Sequence, residues 1–506
     1  MSQPGCTLGI DLGTTSAKVI AFDSGGRELA SAAEQLALAH PEPGAAEQDP
    51  ADVYAAVMRA LATVTRQASS LGYVVERIGI SAAMHSLIPV AADGTPLMHA
   101  LLWMDQRADE AARALWHSPA GPAVYARTGT PVHAMAPLAK LIWLRERRPD
   151  VFARAAKYVS LKEWIWQRWF GAWQVDASLA SATGLYNLTT GDWDAEALAL
   201  AGINADKLSA LVPTTFVTRV VSGSDLTAAG LPSEVACNIG ASDGVLANLG
   251  VGAIGHEALV MTIGTSLAVR TGSSTPFTDP ATRLFCYVLA ADRFIVGGPS
   301  NSGGVVLEWL ARLVTGNASV PNTTAYATPI VQQPELNQLL AAAEPAHDDD
   351  LLCLPYVAGE RAPLWDARAR GAFFGLNLGH TSAHLMRAAV EGLIFNARWI
   401  AEPLLARPNP PQQIIASGRV LDVAWIRQLV ADVFGLPVRF LGDVDASAFG
   451  AAALSCIATS TWTWEDIAAG RYVPPGSLTS PATPDRYAQQ YARFRQLSAS
   501  LAPAST

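Results

Sequence analysis

Two stretches of this chain repeat one pattern of apolar and polar positions. Residues 8–10 and 17–22 are short apolar runs on either side of Gly13-Thr14-Thr15. Residues 259–263 and 267–271 flank Gly264-Thr265-Ser266 in the same way. A Gly/Thr turn between strand-length apolar runs predicts a hairpin, and here one opens each half. The 506 residues exceed one ordinary core and suit two domains of about 250 residues. The division expected is 1–250 and 251–506. Helical spacing follows the Asp49-Pro50 start signal over 52–71 and recurs at 138–147 and in the Trp-rich segment 161–170. It returns at 383–400 and at 424–434, which ends at Gly435 with Pro437 just beyond. Residues 317–350, with the acidic run Asp348-Asp349-Asp350, lack strong periodicity and read as a loop-rich insertion with short helices. After Pro474 one helix is expected, at 485–501. Strands alternating with helices make the class α/β.

Composition narrows the partners. Half of the residues are hydrophobic and 16% are charged, which suits large buried cores. A net charge of −9 with no Lys/Arg run argues against nucleic acid or an anionic membrane as the main partner. It leaves anionic small ligands open, because backbone N–H groups and a divalent cation can supply the local charge. No apolar stretch reaches the roughly 18 residues of a membrane span. The start, MSQPGCTLGIDLG, has neither the basic nor the apolar segment of a secretory leader. Five scattered cysteines with no CxxC pair suit neither a disulfide framework nor a zinc site, and fit a reducing compartment. A cytoplasmic protein is expected.

The candidate chemistry lies in four places. In Gly9-Ile10-Asp11-Leu12-Gly13-Thr14-Thr15-Ser16-Ala17-Lys18, the turn offers N–H groups and hydroxyls to phosphate oxygens. Asp11 can hold Mg²⁺, and Lys18 adds positive charge near a phosphoryl group. An ordinary hairpin tip is the alternative, and GxxxxGK[ST] is absent. Gly264-Thr265-Ser266 is the matching turn, so the pair could grip a polyphosphate from both sides. In Ile239-Gly240-Ala241-Ser242-Asp243-Gly244, Asp243 suits a carboxylate that orients an attacking alcohol and takes its proton. An Asx-turn or helix cap is equally open there. Met84-His85-Ser86, Trp103, Asp105, Arg107 and His133 form a polar set in an apolar frame, suited to a sugar or sugar acid. Each of these also has a plain packing reading, as do the tryptophans of 143–173.

From Leu8 to about Leu454 the chain resembles the FGGY carbohydrate kinases. The resemblance is carried by SAAMHSLIPV with LLWMDQRA, TGTPVHAMAPLAKLIWL, SLKEWIWQRWFGAWQVDASLASATGLYNL, IGASDGVLANLGVG and PYVAGERAPLWDARARGAFFGLNLGH. Within the family the chain is most similar to the gluconate kinases. The resemblance implies two RNase H/actin-like ATPase domains, with ATP in the cleft between them and the sugar deep on the N-terminal side. It implies that Asp243 is the catalytic base and Asp11 the metal-associated Asp. Gly13, Thr14 and Thr15 fall at the first phosphate loop, with Lys18 beside it, and Gly264 and Thr265 at the second. Gly304 and Gly418 fall on the nucleotide side, and Met84 and His85 at substrate. Arg419 stands where the family usually has the second glycine of a pair, and His133 is followed by Ala rather than Pro.

The reaction implied is transfer of the ATP γ-phosphoryl group to the terminal hydroxyl of D-gluconate, with Mg²⁺. D-xylulose is the alternative substrate, and an actin-like nucleotide-driven binding machine the alternative class. The partners expected are ATP and a small sugar or sugar acid, with a homodimer as an allowed assembly. Two turns from separate domains meeting one ATP imply closure about a hinge near 244–255.

Overall fold

The computed structural model describes residues 3–316, 333–442, 444–473 and 475–501. The first sheet has six strands: β1 (Gly5–Leu12), β2 (Ser16–Phe22), β3 (Glu28–Gln35), β4 (Val74–Ala82), β5 (Val217–Arg219) and β6 (Ala236–Ser242), in the order β5-β6-β4-β1-β2-β3. The second has seven: β7 (Ala258–Ile263), β8 (Leu267–Ser273), β9 (Phe285–Ala290), β10 (Arg293–Ser300), β11 (Gln413–Ser417), β12 (Val438–Phe440) and β13 (Ser477–Thr479), in the order β9-β10-β8-β7-β11-β12-β13. The sheets correspond strand for strand. In each, an antiparallel meander (β1-β2-β3; β7-β8-β10) continues through two parallel strands (β4, β6; β11, β12) to an antiparallel edge (β5; β13). β9 alone has no counterpart. The internal repeat expected from the two hairpins therefore extends over both whole sheets.

The helices that matter here are α1 (Pro50–Ser70), α2 (Pro137–Arg147), α3 (Leu161–Phe170), α4 (Asp243–Gly250), α5 (Gly304–Thr315), α6 (Ser382–Leu405), α7 (Ala424–Phe434), α8 (Ala446–Ala458) and α9 (Ala488–Leu501). α1 starts where the Asp49 carboxylate accepts the Ala51 N–H, and its Val53, Val57, Ala60, Leu61 and Val64 stripe is buried. α3 opens with a Ser160/Glu163 capping box and buries Trp164, Trp166 and Trp169, so these tryptophans are packing residues. α6 runs beyond 400 because Pro403 sits near its end, where one lost hydrogen bond does not stop the helix. The last helix begins at Ala488 after a turn, three residues later than the spacing suggested. Of the segment read as a loop-rich insertion, 317–332 lies outside the described residues, and a helix follows at Gln333–Ala342.

Two helices join the halves. α4 leads from β6 toward the second sheet, and α8 returns from β12 to lie on β1 and β4 of the first. Both contacts are backbone-close. A Cβ at Gly9 would stand 2.0 Å from the Ala448 carbonyl oxygen, and one at Gly79 would stand 1.9 Å from that of Ala451. α4 and α8 approach each other through Gly250 and Gly450 in the same manner. The boundary at 250/251 separates the two sheets in sequence, while α8, from beyond it, packs on the first. Among the described residues no helix is long and apolar enough to cross a membrane.

Candidate active site

The first hairpin sets charge at the end of β1. Asp11 stands across from Lys18 on β2, and the Ser81 hydroxyl donates to its Oδ1 at 2.6 Å. Burial raises the Asp11 pKa, against the Ser81 hydrogen bond and the Lys18 charge. The turn closes through the Gly13 N–H donated to the Ser16 carbonyl. Lys18 leans toward the start of α8, where its Nζ is 2.6 Å from Asp445 Oδ1.

Asp243 is the first residue of α4. The strand before it is bent at Gly240, whose φ is +74° and whose Cβ would fall 1.8 Å from the Ile80 carbonyl oxygen. Lys162 fixes that bend from α3. Its buried Nζ pairs with Asp176 Oδ2 at 2.6 Å and donates to the carbonyls of Ile239 and Ala241. The Asp243 Oδ1 accepts the Gly244 N–H at 2.6 Å. Burial first, and the Asp11 charge second, push the Asp243 pKa up to about 6, while the Gly244 N–H and Arg270 pull it back. A carboxylate so poised can take a proton from an alcohol near neutral pH.

On the sugar side, His85 has φ +70°, a conformation held by the buried Lys140, whose Nζ donates to the His85 and Leu102 carbonyls at 2.6 and 2.7 Å. Burial pulls the Lys140 pKa down to about 7. His85 Nδ1 lies 2.8 Å from the Ala182 carbonyl and so carries the hydrogen, which leaves Nε2 facing Tyr287 Oη at 3.5 Å. Burial, then the Lys140 charge, hold its pKa near 3, so the ring is neutral. His133 is neutral for a similar reason, burial and then Arg361, at about 3. Its Nδ1 accepts the Met135 N–H, which assigns the hydrogen to Nε2. Trp103 donates its indole N–H to Thr14 Oγ1 at 3.0 Å, tying the indole to the first Gly/Thr turn. Leu12, Gly13, Thr14, Met84 and Trp103 line one narrow recess. The second half completes this side: Tyr287 faces His85, Trp365 meets His133 edge-on, and the Arg361 guanidinium lies 4.8 Å over Trp103.

Asp105 and Arg107 are brought to each other rather than to this recess. The Arg107 fork reaches Asp105, Glu47 and Glu42 at 2.7, 2.5 and 2.8 Å and covers Trp143, and Asp105 also accepts the Ala46 N–H. Their polar atoms are engaged in holding the 42–47 segment.

On the nucleotide side, α5 docks end-on against the second turn. Gly304 donates its N–H to the Gly264 carbonyl and Val305 donates to that of Thr265. Gly418, at φ +117°, lies so close to β7 that a Cβ would be 2.1 Å from the Ile263 carbonyl oxygen. Gly264, Thr265, Gly304 and Gly418 thus meet where β7 and β11 end. Arg419 is exposed and starts a 3-10 turn, Arg419–Asp422.

Besides Lys140, Lys162 and Tyr287, sequence reasoning missed Glu360, Arg361 and Arg270. Glu360 is fully buried and accepts from Ser300 Oγ, Ser302 Oγ and the N–H groups of Asn301 and Arg361, fixing the loop that leads into α5. Arg361 follows it, and the only available signal was a charged pair inside an apolar segment. Arg270 sits on β8 beside Asp243, and a lone charge within an apolar strand run was its signal.

Two Gly/Thr turns, a carboxylate poised to accept a proton, a narrow recess walled by an indole, and two buried neutral imidazoles suit phosphoryl transfer to a hydroxylated substrate. Comparison with known proteins agrees. The FGGY family of carbohydrate kinases matches by its N-terminal domain over residues 6–250 and by its C-terminal domain over 259–459. A gluconokinase of Bacillus subtilis is 39% identical over 453 residues, covering 89% of this chain and 87% of that protein. A xylulose kinase of Staphylococcus epidermidis is 28% identical, covering 88% and 87%. The crystal structure of gluconate kinase from Lactobacillus acidophilus superposes with a TM-score of 0.90 at 30% identity, covering 99% of each chain. With both family domains matched across the two sheets and the same two-domain, actin-like ATPase fold in a solved kinase, the chain belongs to the FGGY family of carbohydrate kinases, phosphotransferases that use ATP and an alcohol acceptor.

Proposed function

We propose that this enzyme phosphorylates the terminal hydroxyl of D-gluconate to give 6-phosphogluconate. The observation that carries the chemistry is Asp243, held at the head of α4 with its pKa near 6. The choice of substrate follows the greater likeness to gluconokinase than to xylulose kinase. Asp243 orients the hydroxyl and accepts its proton as the oxygen attacks the γ-phosphorus. Gly13, Thr14 and Thr15 from one half and Gly264 and Thr265 from the other hold the phosphates by N–H groups and hydroxyls. Gly304 and Gly418 keep the backbone low beside the nucleotide, and Lys18 adds charge at the rim. Met84, His85, Trp103 and His133 shape the sugar recess.

Asp11 is the residue that would hold Mg²⁺. Its charge already pushes on Asp243, and a cation held by Asp11 would relieve that repulsion. When bound, the ion neutralises charge on the transferring group. The halves close over the substrates by flexing where α4 and α8 cross, which excludes water from the phosphoryl group. A cytoplasmic enzyme fits the five buried free thiols.

A coupled ADP-release screen across gluconate, xylulose, glycerol, ribulose and fuculose tests the reading. Gluconate is expected to give the highest kcat/KM. Good turnover of D-xylulose with none of gluconate would replace it with the xylulose reading.

A further inference from the structure

A sugar acid brings a carboxylate into the recess, and the cations that look available for it are engaged. Arg107 is held by three carboxylates, Lys140 by carbonyls, Lys162 by Asp176 and two carbonyls, and Lys18 by Asp445. Arg270 differs. Its one hydrogen bond among the described residues is Nη1 to Thr262 Oγ1 at 3.5 Å, the outer limit of such a contact, and it makes no ion pair within 4.0 Å among them.

We propose that the Arg270 guanidinium receives the carboxylate of the sugar acid and is the residue that makes this site choose an acid over a neutral polyol. The inference rests on the gluconate reading above.

The path of the side chain is cleared by two glycines. Arg270 pairs across β8–β10 with Gly297, where a Cβ would come within 2.8 Å of the Arg270 Cα and 3.1 Å of its Cγ. At the other end, a Cβ on Gly244 would come within 3.2 Å of Met84 Cε and 3.4 Å of Arg270 Nε. The fork therefore reaches between the substrate-side Met84 and the turn that carries Asp243. Ala268, two residues earlier on the same face of β8, adds little bulk there.

The charges facing Arg270 are one carboxylate, Asp243, and a second guanidinium, Arg361. Burial, the larger influence, lowers the Arg270 pKa, and the Arg361 charge works in the same direction. Taking a guanidinium out of water with a like charge nearby is unfavourable. A bound carboxylate reverses that balance with parallel N–H···O bonds, for which the planar fork is suited. A neutral polyol cannot do so, and this difference is a basis for discrimination. The competing occupant of the same fork is the γ-phosphate.

Calorimetric titration of the full-length wild type, Arg270→Met and Arg270→Lys with sodium gluconate, with the alditol of equal chain length and with a nonhydrolysable ATP analogue plus Mg²⁺ separates these. Arg270→Met is expected to weaken gluconate about 30-fold or more, the loss of a charge-assisted pair. The alditol and the nucleotide should shift less than about threefold, and Arg270→Lys should keep part of the gluconate affinity. Unchanged gluconate affinity in Arg270→Met overturns the proposal. So does parallel weakening of gluconate and nucleotide, which would assign the fork to phosphate. Should Arg270→Met fail to fold, Arg270→Lys carries the test, and it must weaken gluconate more than nucleotide. A wild type that turns over gluconate with Arg270→Met unaffected sinks this inference alone. A wild type that neither binds nor phosphorylates gluconate sinks the substrate reading, and this inference with it.

Discussion

The two hairpins occupy matching places in their sheets and differ in length and chemistry. The first closes from the Gly13 N–H to the Ser16 carbonyl, and the second, one residue shorter, from the Gly264 N–H to the Ser266 carbonyl. The first carries Asp11 and Lys18 on facing strands, whereas the second has Thr262 opposite Ala268. The second turn is instead buttressed by the N-terminus of α5, through Gly303 and Gly304. The first turn thus has charge on its flanking strands beside it, and the second a helix end and close-packed glycines. A duplicated frame keeps the geometry common, while single side chains divide the labour.

The largest test of that division is Asp243, at the junction of the halves. Asp243→Asn should lower kcat by about 10² to 10⁴ while leaving ATP-analogue affinity near wild type. Near-normal turnover would place the base elsewhere. Gly79→Val addresses the frame itself: a side chain there meets the α8 backbone, and urea unfolding should show a loss of about 3 kcal/mol or more. Unchanged stability would mean that α8 is free to move off the first sheet.

The pH dependence is milder. Asp243 must be ionised to accept a proton, so kcat/KM should be flat above a pKa near 6 and fall about tenfold per pH unit below it. A profile with its acid limb near 4 would contradict the influence of burial. Lys18→Met should cost under about 1 kcal/mol of stability, because its pair with Asp445 is half-exposed. It should nonetheless raise the KM for ATP several-fold, and an unchanged KM would confine Lys18 to anchoring. The smallest expected effect is none: native thiol alkylation should leave turnover intact. All five thiols are buried, and burial raises their pKa values, to about 11 for Cys6 and about 12 for Cys237 and Cys286.

The hairpins and the Asp243 turn were legible in the sequence because they are local: glycine, threonine and a strand-end carboxylate lie within a few positions. What crosses the halves was not. Nothing beside Trp103 in the chain announces that Arg361 will lie over it, and nothing near His85 points to Tyr287 or Lys140. Asp105 and Arg107 suggested a pocket because charges beside an aromatic residue often line one. Only the return of Glu42 and Glu47 shows what satisfies them. Lys162 was hidden for a related reason, since its partners Asp176, Ile239 and Ala241 come from other elements.

The return of α8 to the first sheet bears on how the chain is made. Every strand of that sheet is outside the ribosome once Ser242 has emerged, yet the surface over Gly9 and Gly79 stays uncovered until Ala458 emerges. At ordinary elongation rates that wait is on the order of 10–40 s. An apolar sheet face is exposed to water for all of it, so the nascent chain is a natural client for chaperones. A fragment ending at residue 250 would remain in that state permanently, and expression of the N-terminal half alone should yield aggregate rather than a folded sugar-binding domain.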